Sequence, residues 1–100
     1  MPTVTLNKTV VEKLIGKKYP LEQLKDRISM LGTDLDKIEG NDIVVEIFPN
    51  RPDMLSEYGF ARAFTAFMGL KTGLPKYDVK KGRYQLLIKN PVTDWPYVSA

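Results

Sequence analysis

Apolar residues recur along this chain with two different periods, and the places where the period changes mark its elements. Val4 and Leu6 alternate with Thr3 and Thr5, which predicts a short opening strand. Asn7 or Thr9 can cap a helix after it, and Thr9 with Glu12 has the spacing of a capping box. Val10, Val11, Leu14 and Ile15 then form an apolar stripe that stops at Gly16, giving a helix of about two turns. A helix that short must dock on another element to persist in water. Pro20 suits the first position of a second helix, because the N–H it lacks would have no partner there. Leu21, Leu24, Ile28 and Leu31 come next at helical spacing, and Gly32 can take the left-handed geometry that closes the helix.

From Thr33 the period shortens. Leu35 and Ile38 sit among charged residues, Gly40-Asn41 makes a two-residue turn, and Ile43, Val45 and Ile47 alternate on the return. A β-hairpin is therefore expected between Thr33 and Phe48. Pro49-Asn50-Arg51-Pro52 stops it, since proline donates no ladder hydrogen bond and holds its predecessor extended. Asp53 or Ser56 can cap a third and longer helix from Leu55 to Leu70, with Leu55, Tyr58, Ala63, Ala66, Phe67 and Leu70 as its apolar stripe. Gly59 and Ala63 leave room for a second backbone to approach, and Gly69 or Gly73 supplies a stop before Pro75. Thr72 to Gly82 has the composition of a connector, and Tyr84, Leu86 and Ile88 suggest a further strand that Pro91 breaks. Trp95, Tyr97 and Val98 begin another apolar strand that ends with no turn, the pattern of a piece of a longer protein whose last residues are expected to be mobile or to pair with a neighbouring copy.

One hundred residues make one domain with a modest core. The formal charge is only +3, but it is unevenly placed. Six basic residues (Lys71, Lys76, Lys80, Lys81, Arg83 and Lys89) face the single acid Asp78 near the end, whereas Pro20 to Glu57 carries nine acids against four bases. The basic run reads first as a solvated connector and second as a nucleic-acid-binding stripe. With neither cysteine nor histidine, the chain cannot form a disulfide, a thiolate nucleophile, a zinc-thiolate site or a Ser-His arrangement. No apolar run approaches the roughly 18 residues of a membrane span, and a reducing cytoplasm is the expected compartment.

Carboxylates are the remaining candidates for chemistry. Asp34-x-Asp36 would put two on one face of a strand, and with Asp42, Glu46 or Asp53 they could gather a hard cation; an exposed polar edge is the simpler reading. Asn50, Arg51 and Asp53 form the most polar cluster beside an apolar element. Arg51 could meet a phosphate or carboxylate with Asp53 orienting it. The reading preferred on residue types alone is that Asp53 caps the third helix and Arg51 pairs with Asp34, Asp36 or Glu57. Arg62 is expected to snorkel or to face a partner. Phe48, Phe60, Phe64, Phe67, Tyr84, Trp95 and Tyr97 could stack bases, but three lie at helical spacing and core packing is their default. No catalytic, cofactor-binding or metal-binding residue is assigned, and the pattern amounts to a small α+β domain with three helices and a hairpin or short antiparallel sheet.

Particular residues narrow this further. Met1-Pro2-Thr3-Val4, Met30-Leu31-Gly32-Thr33-Asp34-Leu35-Asp36, and Pro49 to Ser56 leading into Gly59-Phe60-Ala61-Arg62-Ala63 resemble, in that order, the phenylalanyl-tRNA synthetase β subunit. The start resembles the archaeal and eukaryotic type, and nothing here matches the oligonucleotide-binding-fold insertion of bacterial relatives. The resemblance implies a DNA-binding-like α+β fold over residues 1–82, with 71–82 as a basic connector and 83–100 as the start of the following editing domain. It also implies an α2β2 enzyme that charges tRNA with phenylalanine using ATP and magnesium, its synthetic site in the α subunit and its editing site in a later β domain. For this stretch it implies no cofactor and a structural or interaction role, its partners being the remainder of the β subunit, the α subunit and, for the whole enzyme, tRNA. A freestanding basic nucleic-acid-binding module built on Lys71, Lys76, Lys80, Lys81 and Arg83 is the alternative.

Overall fold

The computed structural model describes residues 1–89 and Asp94. A strand β1 (Thr3–Asn7) runs directly into a helix α1 (Lys8–Ile15), followed by a helix α2 (Leu21–Met30). A hairpin of β2 (Asp34–Glu39) and β3 (Asp42–Glu46) comes next, then a 3-10 turn (Pro52–Met54) and a helix α3 (Glu57–Phe67). The three strands form one antiparallel sheet in the order β1-β3-β2. This is the α+β arrangement of three helices and a small antiparallel sheet that the sequence pattern implies.

The sheet presents one apolar face. Leu6, Ile43 and Ile38 lie opposite one another across it, as do Val4, Val45 and Leu35. Leu35 and Ile38 are three residues apart, an odd separation that a regular strand would send to opposite faces. A bulge at Asp36 absorbs the extra residue and lets both lean on the core. Against this face pack Val11 and Ile15 of α1, Leu24 and Ile28 of α2, and Phe60, Ala61 and Phe64 of α3, with Tyr19, Ile47 and Met54 filling between them. Tyr19 meets Phe64 edge-on at 5.8 Å, and Phe60 lies nearly parallel to Phe64 at 6.3 Å. The other face carries exposed Thr3, Thr5, Asn7, Asp34 and Asp42.

Local chemistry fixes each junction. Asn7 caps α1 by accepting from the Val10 N–H at 3.1 Å, while Thr9 turns its hydroxyl to Asn41 Oδ1 at 2.6 Å. The predicted Thr9–Glu12 capping box does not form, because β1 feeds straight into α1 and leaves Asn7 at the boundary. Asn41 also donates to Asn7 Oδ1 at 2.9 Å and accepts from Thr9 N–H at 3.0 Å, so the hairpin tip is tied to the start of α1. Pro20 lies one residue outside α2 rather than at its first position, and its carbonyl accepts from Leu24 N–H at 2.9 Å. Buried Thr33 donates to the Ile28 carbonyl at 2.8 Å, closing α2 onto the hairpin.

The third helix departs most from its predicted form. It begins at Glu57, and Ser56 is its cap, accepting from Gly59 N–H at 3.2 Å. Leu55, Tyr58, Phe67 and Leu70, four members of the expected stripe, are exposed; the buried face is Gly59, Phe60, Ala61 and Phe64. The buried stripe differs from the expected one because apolar residues nearly encircle this helix, and the period alone could not select a face. Its end is a Schellman arrangement, with Gly69 N–H bonded to Ala66 O at 3.0 Å and Leu70 N–H to Thr65 O at 3.1 Å. Tyr84, Leu86 and Ile88 form no strand; residues 74–81 and 84–89 have no regular structure. A lone strand has no ladder partner here, and alternation cannot supply one. The expected strand at Trp95, Tyr97 and Val98, and the break at Pro91, lie outside the described residues.

Gly59 is packed so closely on the 3-10 turn that an added Cβ would collide with the Asp53 carbonyl oxygen. Gly59→Ala should therefore lower stability by about 1–3 kcal/mol despite alanine's better helix propensity, as read by urea unfolding. A gain in stability would show that the turn yields easily.

Candidate functional site

The polar cluster at the turn before α3 is ordered by its own sequence. Arg51 Nε donates to Asp53 Oδ1 and Nη2 to Asp53 Oδ2, each at 2.9 Å, a fork-to-fork pair between residues two apart. The backbone brings them together: Arg51 N–H bonds to the Phe48 carbonyl at 2.9 Å, and Met54 N–H to the Arg51 carbonyl at 3.1 Å. The expected pairing of Arg51 with Asp34, Asp36 or Glu57 is thus replaced by Asp53, and Asp53 does not cap α3. The tight turn through Pro52 brings the two side chains within reach before any other acid can compete. The bond to Arg51, with a smaller contribution from its positive charge, holds the Asp53 carboxyl below the usual aspartate range against a slight opposing loss of hydration. Glu57 instead reaches back to β1, where its carboxylate accepts from Asn7 N–H at 3.1 Å and its pKa falls for that reason.

A second cluster lies on the outer face of α3. Tyr58 and Arg62, one helical turn apart, point to the same side, and Arg62 Nη1 donates to the Tyr77 hydroxyl at 3.3 Å. The Arg62 bond first, and the Tyr58 hydroxyl next, lower the Tyr77 pKa, while Tyr58 is raised by its contact with Tyr77. The segment carrying Tyr77 bounds a groove of about 430 Å³ whose walls include Leu14, Ala66 and Leu74. Residue types give Arg62 a partner-facing role without naming the partner, and nothing in the sequence pattern singles out Tyr77, fifteen residues on.

The other candidates do not converge. Asp36 is the bulge residue, so Asp34 and Asp36 do not stand in regular alternation on one face of β2. Among the described residues no group of three or more carboxylates comes close enough together to hold a metal ion. Phe60 and Phe64 are core residues, while Phe67 and Tyr84 are exposed and Phe48 is half-buried; Trp95 and Tyr97 lie outside the described residues. Lys71, Lys76, Lys80, Lys81 and Arg83 succeed one another along exposed irregular chain, where Lys80 approaches Asp78 at 4.0 Å. They make a basic thread more than a basic patch.

Three helices packed on one face of a three-stranded antiparallel sheet, with their polar clusters at the surface, define a small α+β domain. The family model described as the Phe-tRNA synthetase beta subunit B1 domain matches residues 1–70, and the chain belongs to that family. It is similar to the phenylalanine–tRNA ligase beta subunit of Methanopyrus kandleri, 37% identical over 97 residues that cover 94% of this chain and 16% of that protein. The corresponding protein of Archaeoglobus fulgidus is 38% identical over 92 residues, covering 92% of this chain and 16% of that protein. Among solved structures it resembles an N-terminal fragment of the phenylalanyl-tRNA synthetase beta-subunit from Pyrococcus horikoshii, with a TM-score of 0.72 and 33% identity over 82% of this chain and 25% of that one. The chain spans about a sixth of the length of the curated relatives it matches.

Asp53 and Glu57 both have folded pKa values depressed below their ordinary ones. Each contributes stability that is fully present above its unfolded pKa and is lost as pH falls through the folded value. Asp53→Asn should therefore shrink the stability difference between about pH 6 and about pH 2.5, measured by urea unfolding at each. An unchanged difference would mean that the Arg51 pair does not persist in solution.

Proposed function

We propose that this chain acts as the N-terminal structural and interaction domain of a phenylalanyl-tRNA synthetase β subunit of the archaeal type. Residues 1–82 form the domain, 71–82 lead away from it as a basic connector, and 83–100 open the following editing domain. The whole protein pairs with an α subunit as α2β2 and charges tRNA with phenylalanine in the cytoplasm using ATP and magnesium. Those groups act elsewhere in the assembly, and no step of the reaction runs through residues of this chain.

The observation that carries this reading is where burial stops. Among the described residues the buried core runs from Leu6 to Phe64, whereas Leu74, Val79 and Tyr84 are 93%, 88% and 87% exposed. Apolar side chains that the domain does not cover suit a stretch that meets another part of a larger protein. Family membership over residues 1–70, and relatives named as ligase β subunits, support the same reading. No helix among the described residues is long and apolar enough to cross a membrane.

The full reading frame, produced together with an α subunit, should give a heterotetramer by light scattering and charge tRNA with phenylalanine. The chain by itself should neither charge tRNA nor hydrolyse mischarged tRNA, and hydrolysis by the pure chain would overturn the proposal. Filter binding of tRNA at rising salt separates the alternative. A freestanding basic module with five phosphate contacts would bind with an affinity falling about 500-fold over a fourfold rise in salt. A structural domain should show weak binding or none.

A further inference from the structure

The stretch after α3 has the composition of a free linker, but its first part is not placed like one. Gly69 and Gly73 both have left-handed backbones, with φ of 70° and 86°, and between and after them Lys71 to Tyr77 folds back over the outer face of α3. Tyr77 is the point of attachment. Its oxygen receives Arg62 Nη1 at 3.3 Å, from the same face of α3 that carries Tyr58. Leu74 is left almost fully exposed, so the apolar residue of this segment does not hold it down.

We infer that Tyr77 is a latch which straps residues 71–77 onto α3 and sets where the chain leaves the domain. The cluster has the polarity that such a latch needs. Arg62 is a permanent cation with several donors, and the phenol oxygen of Tyr77 can accept from it. Anchoring at this point shortens the reach of the chain beyond it. A flexible 71–82 would let residue 83 wander roughly 19 Å from α3, whereas anchoring at Tyr77 leaves about five free residues and roughly 12 Å. Confining the exit in this way raises the local concentration of the next segment about fourfold, which favours its docking on the domain. The latch stands on the geometry of α3 and does not depend on the synthetase reading.

Trypsin supplies the test within the 100-residue chain. Lys71 and Lys76 lie in the strap, while Lys81 and Arg83 lie beyond the latch and serve as internal controls. Brief digestion and then mass spectrometry should show the strap sites cut about tenfold more slowly than the controls. Tyr77→Phe, which deletes only the hydroxyl, and Arg62→Gln should each bring the strap sites close to the control rate without moving the Tm. Equal cutting at strap and control sites in the unaltered chain would overturn the latch. So would a Tyr77→Phe chain whose strap remains protected, even if Tyr77→Ala releases it, because the ring and not its hydroxyl would then be the fastening.

Discussion

Everything about the placement of α3 depends on a backbone-to-backbone approach. Gly59, in the first turn of the helix, lies against the Asp53 carbonyl where a methyl group would not fit. That approach lets the 3-10 turn and the helix share one corner, with Met54 from the turn and Phe60 from the helix both completely buried beneath it. Phe64, one turn further, then reaches Tyr19 in the connection before α2. Burying two phenylalanines and a methionine is worth about 2–3 kcal/mol each, so the glycine's entropic cost of about 1 kcal/mol is readily offset. The Arg51–Asp53 pair and the bond from Asn7 to Glu57 decorate the same corner from outside. They fix its angle while adding little stability at such exposed positions.

Much of this architecture is written locally. The body of α2 and the Gly40-Asn41 hairpin depend on residues close in sequence and form where the period places them, whereas the strand before α1, also in its expected place, needs β3 to pair with. What escapes local reading requires knowledge of neighbours. Leu55, Tyr58, Phe67 and Leu70 are as apolar as Phe60 and Phe64, and only the position of α1 and the sheet decides which set is covered. The bulge at Asp36 has a signal in the three-residue spacing of Leu35 and Ile38, a mismatch with the strand period. Tyr84, Leu86 and Ile88 show the converse failure, since alternation marks a segment able to form a strand without providing the edge it would join.

The candidate site is legible in the same uneven way. Asn50 to Asp53 stand out as polar residues beside an apolar helix, but pairing Arg51 with Asp34, Asp36 or Glu57 overlooks how tightly Pro52 folds the turn. Arg62, expected to snorkel or to face a partner, meets a tyrosine of its own chain, in a segment whose composition suggests only a tether. Family membership rests on the ordered core of residues 1–70, the part that cohesion and capping explain. The described apolar and basic residues beyond it, Leu74, Val79 and Lys80 among them, lie outside that core and are exposed.

The order β1-β3-β2 also bears on how the domain acquires its shape. Thr3 pairs with Glu46, so β1 must wait, unpartnered, until β3 has been made. The hairpin of β2 and β3 can close within itself, and α2 can dock on it through Leu24, Ile28 and Thr33 before β1 joins. Adding β1 brings α1 with it, because Asn7 ends the one and caps the other. Contacts so far apart in sequence slow folding, and the docking of the opening strand and its helix is the natural late step. During synthesis the opening strand and its helix are thus exposed for longest, and the threonines and Asn7 that alternate with Val4 and Leu6 keep that waiting strand only half apolar.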